Sequence, residues 1–484
     1  MVNPAAYVYA ILFLWVPISA LLFATMPTVR AVVYVMVGGT LVLPELAAVD
    51  PPILPAIDKH GLSALCALTG LVLTNPKRVW AAKPFGWWDL PFVFLIIGNI
   101  GTASTNPDQF IFGGKPSWTG EPWPTVVLPG LTVREAFPLT MSDIVYLWVP
   151  YFVARACFRS REDVAELLKA FVITGMVYAG LMAIEIVLSP QIHRWTYGYH
   201  ATSFSHAVRG SGFKPNVYLA GGLAAAMYGF VVVLASAAAH RGKIRTGAIP
   251  AMGTLLAMLV VLSLSRNVAV LIYLAFAVPC ALVLRGKTMA TIAKVILVLF
   301  IAFPYLRANK IAPTDDLVQF AAKYNAERAD SLKFRFDNED ALLEKAMERP
   351  YFGWGTYGRN RIFDEDSGRD LSVTDGEWII HFGVRGAVGY IGWALLLVMP
   401  VFASTRPMKR GMPPPDQILL ATLALTLAVH TLDLLPNASF NRFIYLLAGT
   451  VAGLVSGYGK GAKTAAVGAS RHALALRAPP VGPA

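Results

Sequence analysis

Charge is what this chain has least of. Asp, Glu, Lys and Arg make up 14% of its 484 residues, against a hydrophobic fraction of 56%. With a mean hydropathy of +0.56, that balance lies outside the range of water-soluble domains. Cysteine is nearly as scarce: Cys66, Cys157 and Cys280 lie in or beside apolar segments without metal-ligand spacing, so neither a disulfide framework nor a zinc site is expected. No Walker or dinucleotide glycine pattern occurs, which argues against nucleotide hydrolysis, and no repeat of fixed period is visible. Lys and Arg outnumber Asp and Glu by 41 to 29, for a net charge of +12. The basic residues are scattered among short segments instead of gathered on one face, so nucleic acid is excluded as a partner.

What the chain has in quantity is long apolar runs. A hydrocarbon core of roughly 30 Å needs about 20 helical residues to cross it. Such runs fall near 5–25, 30–47, 60–75, 88–103, 140–157, 166–188, 216–238, 247–264, 268–284, 292–305, 386–404, 417–435 and 440–459. The expected fold is an all-α polytopic membrane bundle of twelve or thirteen spans. The first run has no Lys or Arg before it and no small-residue cleavage site after it, and so reads as a span and not as a signal peptide. Short basic segments recur between alternate spans, at 76–78, 159–161, 240–245, 285–287 and 406–410. Lys and Arg resist translocation, which makes these the cytoplasmic loops. Residues 106–138, 191–214 and 306–385 then fall on the outer side. Four regions follow: a transmembrane bundle over 1–305, an outer loop over 306–385, further spans over 386–459, and an Ala, Gly and Pro-rich tail over 460–484 expected to be disordered.

The outer loop is a polar island holding about half of all the Asp and Glu in the chain. Thr314-Asp315-Asp316 reads as a helix start with acids in the first turn. A second helix is expected to open near Asp337-Asn338-Glu339-Asp340 and to end before Pro350, with Leu343, Ala346 and Met347 on one face, lying over the bundle as a lid. The glycines at 353, 355 and 358 imply a turn.

Three pieces of sequence stand in a suggestive order. The first is Arg209-Gly210-Ser211-Gly212-Phe213-Lys214-Pro215-Asn216. The second is Ser331-Leu332-Lys333-Phe334-Arg335. The third joins the Pro350 to Gly355 turn to Thr374-Asp375-Gly376-Glu377-Trp378 and the glycines at 386 and 389. With Ser265-Arg266 between the first two, this set resembles the O-antigen ligase and polysaccharide polymerase superfamily over roughly residues 200 to 405. The resemblance implies a metal-independent, cofactor-free inverting glycosyltransferase of the bacterial inner membrane, with its active site facing the periplasm. Its donor would be a polyprenyl-diphosphate-linked glycan, its acceptor a glycan or lipid-linked chain, and its other partners membrane lipids and polysaccharide-assembly proteins. Arginine suits a diphosphate because its fork of donors matches phosphate oxygens where Lys offers a point charge. Arg209 and Arg335 lead for that role, with Arg266 and Lys214 in support. Ligases of the superfamily carry a His before the Gly-x-x-Gly span entrance. Here Asp375 occupies that position and Gly376 stands where Asn is common, which tilts the reading from ligase toward polymerase. As acceptor base, Asp375 ranks first, then Glu377, then His381, which lies one helical turn from Glu377.

Plainer readings stand beside these. Arg209 is equally well a headgroup-binding Arg at a span end. Arg266 is either an outer-turn residue or one at membrane depth. Arg335 fits a lid salt bridge and Asp375 a helix cap. Glu185, His430 and Asp433 are read as structural, Trp354 and Trp378 as interfacial belt residues, and Tyr197, His200 and His206 as outer-surface polar residues. The competing class is a lipid-linked glycan flippase or small-molecule transporter. Against it stand the lack of a repeat and the few charges expected at mid-depth. A non-catalytic subunit of an assembly system is the third reading.

Overall fold

The computed structural model describes residues 4–52, 54–209, 212–324, 326–438 and 442–458, without the side chains of Ser205, His206, Arg209 and Arg328. The tail over 460–484 and the side chains of Arg209 and His206 therefore lie outside the described residues.

Where nearly every side chain is apolar and the backbone must satisfy itself, the chain forms helices. In order these are α1 (Ala6–Thr25), α2 (Thr28–Val42), α3 (Lys59–Thr74), α4 (Leu90–Thr105), α5 (Val133–Cys157), α6 (Arg161–Leu188), α7 (Ile192–Tyr197), α8 (Gly222–Arg241), α9 (Ala251–Leu264), α10 (Val268–Val283), α11 (Gly286–Ala308), α12 (Thr314–Ala322), α13 (Ala326–Met347), α14 (Glu377–Ala403), α15 (Pro414–Asp433) and α16 (Phe443–Tyr458). Among the described residues the named strands form two short antiparallel hairpins. β1 (Phe110–Phe112) pairs with β2 (Val126–Leu128), and β3 (Val208–Arg209) pairs with β4 (Gly212–Phe213).

Among the described residues seven helices, α1, α5, α6, α8, α11, α14 and α15, are long and apolar enough to cross a membrane. Five shorter apolar helices, α2, α3, α9, α10 and α16, fall on further expected spans, and α4 on the remaining one. The protein is a multi-pass membrane protein. Large apolar side chains such as Leu21, Val187, Ile272 and Val283 point outward, as they do where lipid is the solvent. α8 is buried along nearly its whole length and forms the axis, with α6, α9, α10 and α15 around it.

The basic segments meet at one end of this bundle. Arg78 pairs with Asp163 at 2.9 Å, Arg161 with Asp416 at 2.6 Å, and Arg241 donates to the carbonyls of Ala281 and Leu284 at 2.8 and 2.7 Å. Ser160 caps α6 there by accepting from the Asp163 N–H while Asp163 accepts from Ser160. At the opposite end the acid-rich island docks on the segment after α4: Arg349 donates to the Thr105 carbonyl at 2.6 Å, and Arg359 to the carbonyls of Asp108 and Pro129 at 2.6 and 2.9 Å. The start of α1 lies among the loops at 43–60 and 191–218, with Val8 packed against Ala47 and Tyr197.

Within the island the structure departs from the sequence expectation in three ways. The lid helix α13 is continuous from Ala326, so Ser331 to Arg335 lie inside it and the acids at 337–340 are mid-helix. Its buried stripe is Leu342, Leu343 and Ala346, while Met347 is exposed, because the 3.6-residue period aligns 335, 339, 342 and 346 on one face. Third, residues 377–385 are already helical, which moves the end of the irregular loop back to 376.

Candidate active site

The site is organised around a break in α14. At Gly386 the backbone takes φ 59° and ψ −171°, which would strand the last carbonyls of the first half and the first N–H groups of the second. The turn at 350–355 inserts there and satisfies them. Trp354 N–H donates to the Gly383 carbonyl at 2.8 Å and Gly355 N–H to that of Val384 at 2.9 Å. In the other direction, Ala387 and Val388 donate to the carbonyls of Pro350 and Tyr351 at 2.7 and 3.1 Å. A Cβ on Gly386 would sit 2.3 Å from the Tyr351 carbonyl carbon, and one on Gly353 would sit 2.5 Å from the Gly386 nitrogen. Close approach is thus what the Pro-x-x-Gly-x-Gly turn and the first glycine of Gly-x-x-Gly are for. The second glycine, Gly389, lets α4 cross at Gly98, where a Cβ would come within 2.9 Å.

The first half of α14 forms one wall of a polar cleft of about 560 Å³. Glu377 and His381 line it one turn apart, with Glu377 Oε1 3.7 Å from His381 Nε2. The other Glu377 carboxylate oxygen is buried without a partner among the described residues. His381 is stacked on Trp393, ring centroids 4.2 Å apart, so its plane is set. Two turns below Glu377, ~12 Å down the helix axis, Arg385 donates to both oxygens of Asp143 at 2.6 and 2.7 Å. Asn99 donates to the same carboxylate at 2.8 Å. Tyr146, Tyr357, Arg361 and Arg442 also line it.

The segment 374–377 is a septum. Thr374 and Glu377 face the cleft, whereas Asp375 and Gly376 face a second, mostly apolar cavity of about 270 Å³ beneath α13. There Arg335 pairs with Asp375, Nε to Oδ2 3.3 Å, both partly exposed. The structure thus brings together two residues chosen from sequence, but as each other's partners. Asp375 does not cap α14: Gly376 is the N-cap and no side chain bonds to the first turn. Behind this pair Arg307 donates to Glu339 at 2.8 Å and pairs with Asp340 at 2.7 Å. The Trp378 indole donates to Glu339 at 2.6 Å. Burial pushes the Glu339 carboxyl up from its ordinary value, with Arg307 and Trp378 pulling the other way. Trp378 and Trp354 are buried and not belt residues. Trp354 donates to the Lys345 carbonyl at 2.7 Å, and Lys345 and Arg349 lie over its ring. Both tryptophans bind the lid helix to the bundle.

The early string sits elsewhere at the same end. Glu185 accepts from the backbone of Ile192, Asn216 and Val217 at 3.0, 2.8 and 2.7 Å, which anchors the loop from 191 to the span that follows. Lys214 is partly buried, its N–H donating to the Ala207 carbonyl at 2.8 Å. Arg266 occupies an exposed turn after α9, with φ 58°. A Cβ on Gly212 would be 2.6 Å from its Nε, so the Ser-Arg pair and the glycine-rich string are packed together. Arg209 belongs to β3 by its backbone. Tyr197 is buried and donates to the Val42 carbonyl, so it is not a surface residue, while the partly buried His200 contacts the Pro190 carbonyl at 3.2 Å. Asp433 is buried with Asn437 donating to it at 2.8 Å, and His430 is buried without a hydrogen bond to either ring nitrogen among the described residues.

Sequence reasoning overlooked Asp143, Arg385 and Arg442. Asp143–Arg385 joins the apolar helices α5 and α14, and the buried Arg155 of α5 pairs at 2.8 Å with Asp89, in the turn that leads into α4. An ionisable residue inside an expected span was the available signal, and Asp143 carries it. Compared with known protein families and with curated proteins, the chain matches none.

Proposed function

We propose that this protein is an inner-membrane glycosyltransferase of bacterial surface-polysaccharide assembly that polymerises polyprenyl-diphosphate-linked repeat units at the periplasmic face. The observation that carries the reading is the cleft: a carboxylate with one oxygen unpartnered among the described residues, beside an oriented imidazole, at the end of the bundle away from the basic segments. Those segments favour the cytoplasm, so the cleft would be out of reach of cytoplasmic nucleotide sugars and its donor would have to be lipid-linked. Because Asp375 is engaged with Arg335 in the neighbouring cavity, the base role passes to Glu377, which faces the cleft. Glu377 takes the proton of an acceptor sugar hydroxyl as that oxygen bonds to the anomeric carbon. The bond from that carbon to the diphosphate breaks on the opposite side, giving inversion, and the departing charge falls to the cationic side chains that line the same cleft.

The test is the lipid-linked product profile of a deletion strain complemented with wild type, Glu377→Gln, Arg335→Ala, Arg209→Ala or Asp375→Ala. Accumulated single repeat units support the polymerase. Long lipid-linked chains that are never transferred support a ligase acting on lipid A core or protein. Wild-type profiles from every variant overturn the site. The break in α14 beside the Asp143–Arg385 pair favours a second reading, a lipid-linked glycan flippase, since transporters bind substrate at broken helices. Translocation of a fluorescent lipid-linked glycan in proteoliposomes without any transfer product would support it.

A further inference from the structure

Charge in the cleft is matched residue by residue, with two exceptions. Arg385 is neutralised by Asp143 and Arg361 by Asp370, the latter at 2.6 Å. Arg442 has no carboxylate within 4.0 Å and no hydrogen bond among the described residues, and the undescribed ones include no Asp or Glu to supply a carboxylate. Its guanidinium lies over the Tyr146 ring, 5.1 Å from the centroid. That ring is itself fixed, because Tyr146 Oη accepts from the Asp58 N–H at 3.3 Å and donates to the Ala56 carbonyl. The second exception is Glu377, with its unpartnered oxygen. Among the described residues a cation and an anion therefore line the same cleft without touching each other or a counter-ion. Each would gain from a ligand that supplies what it lacks, since an unmatched charge in a site of low dielectric costs more than one in water.

We propose that the cleft binds an anionic, hydroxyl-bearing group, a phosphate or carboxylate carried on a sugar, with Arg442 holding the anion and Glu377 accepting from a hydroxyl. Arg442 is then a binding residue that neither its sequence context nor the Arg335 pair reveals. A planar guanidinium stacked on an aromatic ring keeps its fork free for two-point contact with oxyanions. Ser142, Thr374 and Asn360 offer neutral partners for further hydroxyls. The inference rests on the reading of the cleft as the glycan site, but it concerns recognition and not turnover. The anion has two sources: the diphosphate of the lipid-linked donor, or the carboxylate of an acidic sugar.

Calorimetric titration of the full chain in nanodiscs with inorganic pyrophosphate, glucuronate and glucose tests this. The wild type is expected to bind at least one of the two anions, more weakly as salt is raised, and to bind glucose at least about tenfold more weakly. Preference for pyrophosphate assigns the site to the leaving group, and preference for glucuronate to an acidic sugar. Arg442→Gln should weaken anion binding about tenfold or more, with Arg442→Lys in between, while Arg335→Ala leaves it within about twofold. If Arg442→Gln does not fold, the lysine variant decides, and wild-type affinity in it overturns the proposal. So does anion binding that survives Arg442→Gln, or is lost with Arg335→Ala alone, or fails in the wild type, or is equalled by glucose. Intact, Arg442-dependent binding in a protein that neither polymerises nor transfers glycan overturns the glycosyltransferase reading and leaves this one standing.

Discussion

Single residues in the apolar interior carry more of this fold than their number suggests. Asp143 holds Arg385 through both oxygens, nearly out of contact with solvent. Asp143→Ala would leave a partly buried guanidinium without its carboxylate and should lower stability by about 2–4 kcal/mol, read as loss of thermal stability in detergent. Restoration by the double variant with Arg385→Met would separate this from a direct role in chemistry. His193 offers a second residue-scale test. It is buried between Tyr197 and Tyr199, with Nε2 accepting from the Glu45 N–H at 3.0 Å and Nδ1 against the Tyr199 carbonyl at 2.8 Å. Burial first, then the charges of Lys59 and His200, push its pKa down to about 4 from the ordinary 6.5. A histidine held neutral in the fold contributes fully above its unfolded pKa, and its contribution fades as pH falls from about 6.5 toward 4. Up to about 3 kcal/mol should disappear across that window. His193→Gln, which can keep both hydrogen bonds, should flatten the pH dependence of the melting temperature. An unchanged profile would show that another group sets it. Of the residues singled out from sequence, Glu377, His381, Arg335 and Asp375 flank a single four-residue septum. Which faced which cavity was not legible, because neighbouring residues in irregular backbone point in opposite directions and only the packing says where each direction leads.

At the scale of elements, the break in α14 and the turn inserted in it form one unit. Gly386→Ala forces a Cβ into positive φ and within 2.3 Å of the Tyr351 backbone. About 2–4 kcal/mol of destabilisation is expected, and with the turn expelled the first half of α14 should lose its alignment. Hydrogen exchange at Trp354 and Ala387 measures this, since both amides are protected only by the insertion. Protection at the wild-type level in that variant would refute the account. The lid helix depends on a polar contact: Trp378→Phe removes the donor to the partly buried Glu339 and should cost about 1–3 kcal/mol, visible as faster proteolysis between α12 and α13. The existence of the turn, the lid and the apolar entrance to α14 could be read from glycine spacing and hydrophobic period. The length of α13 could not. Its acids resemble a helix start when read locally, but Arg307 and Trp378 compensate Glu339 in mid-helix, and both come from other elements.

At the scale of the whole molecule, the segregation of basic segments to one end and of the acid-rich island to the other is the property that any orientation must respect. Single cysteines placed at Lys243 and at Asp366, in a Cys66, Cys157 and Cys280-free background, should label from opposite sides with a membrane-impermeant maleimide. Labelling of both from one side would contradict the bundle. Length and apolarity alone specified the helices, since crossing about 30 Å of hydrocarbon leaves a chain no other local choice. Loop charge specified which loops share an end. Only the tertiary structure decided that Asp143 meets Arg385 across 242 positions, that a turn plugs a broken helix, and that Arg442 reaches the cleft of Glu377. Periodicity and composition are properties of neighbours along the chain. Pairing of buried charges is settled between helices, where the cost of leaving any of them unmatched selects the partner.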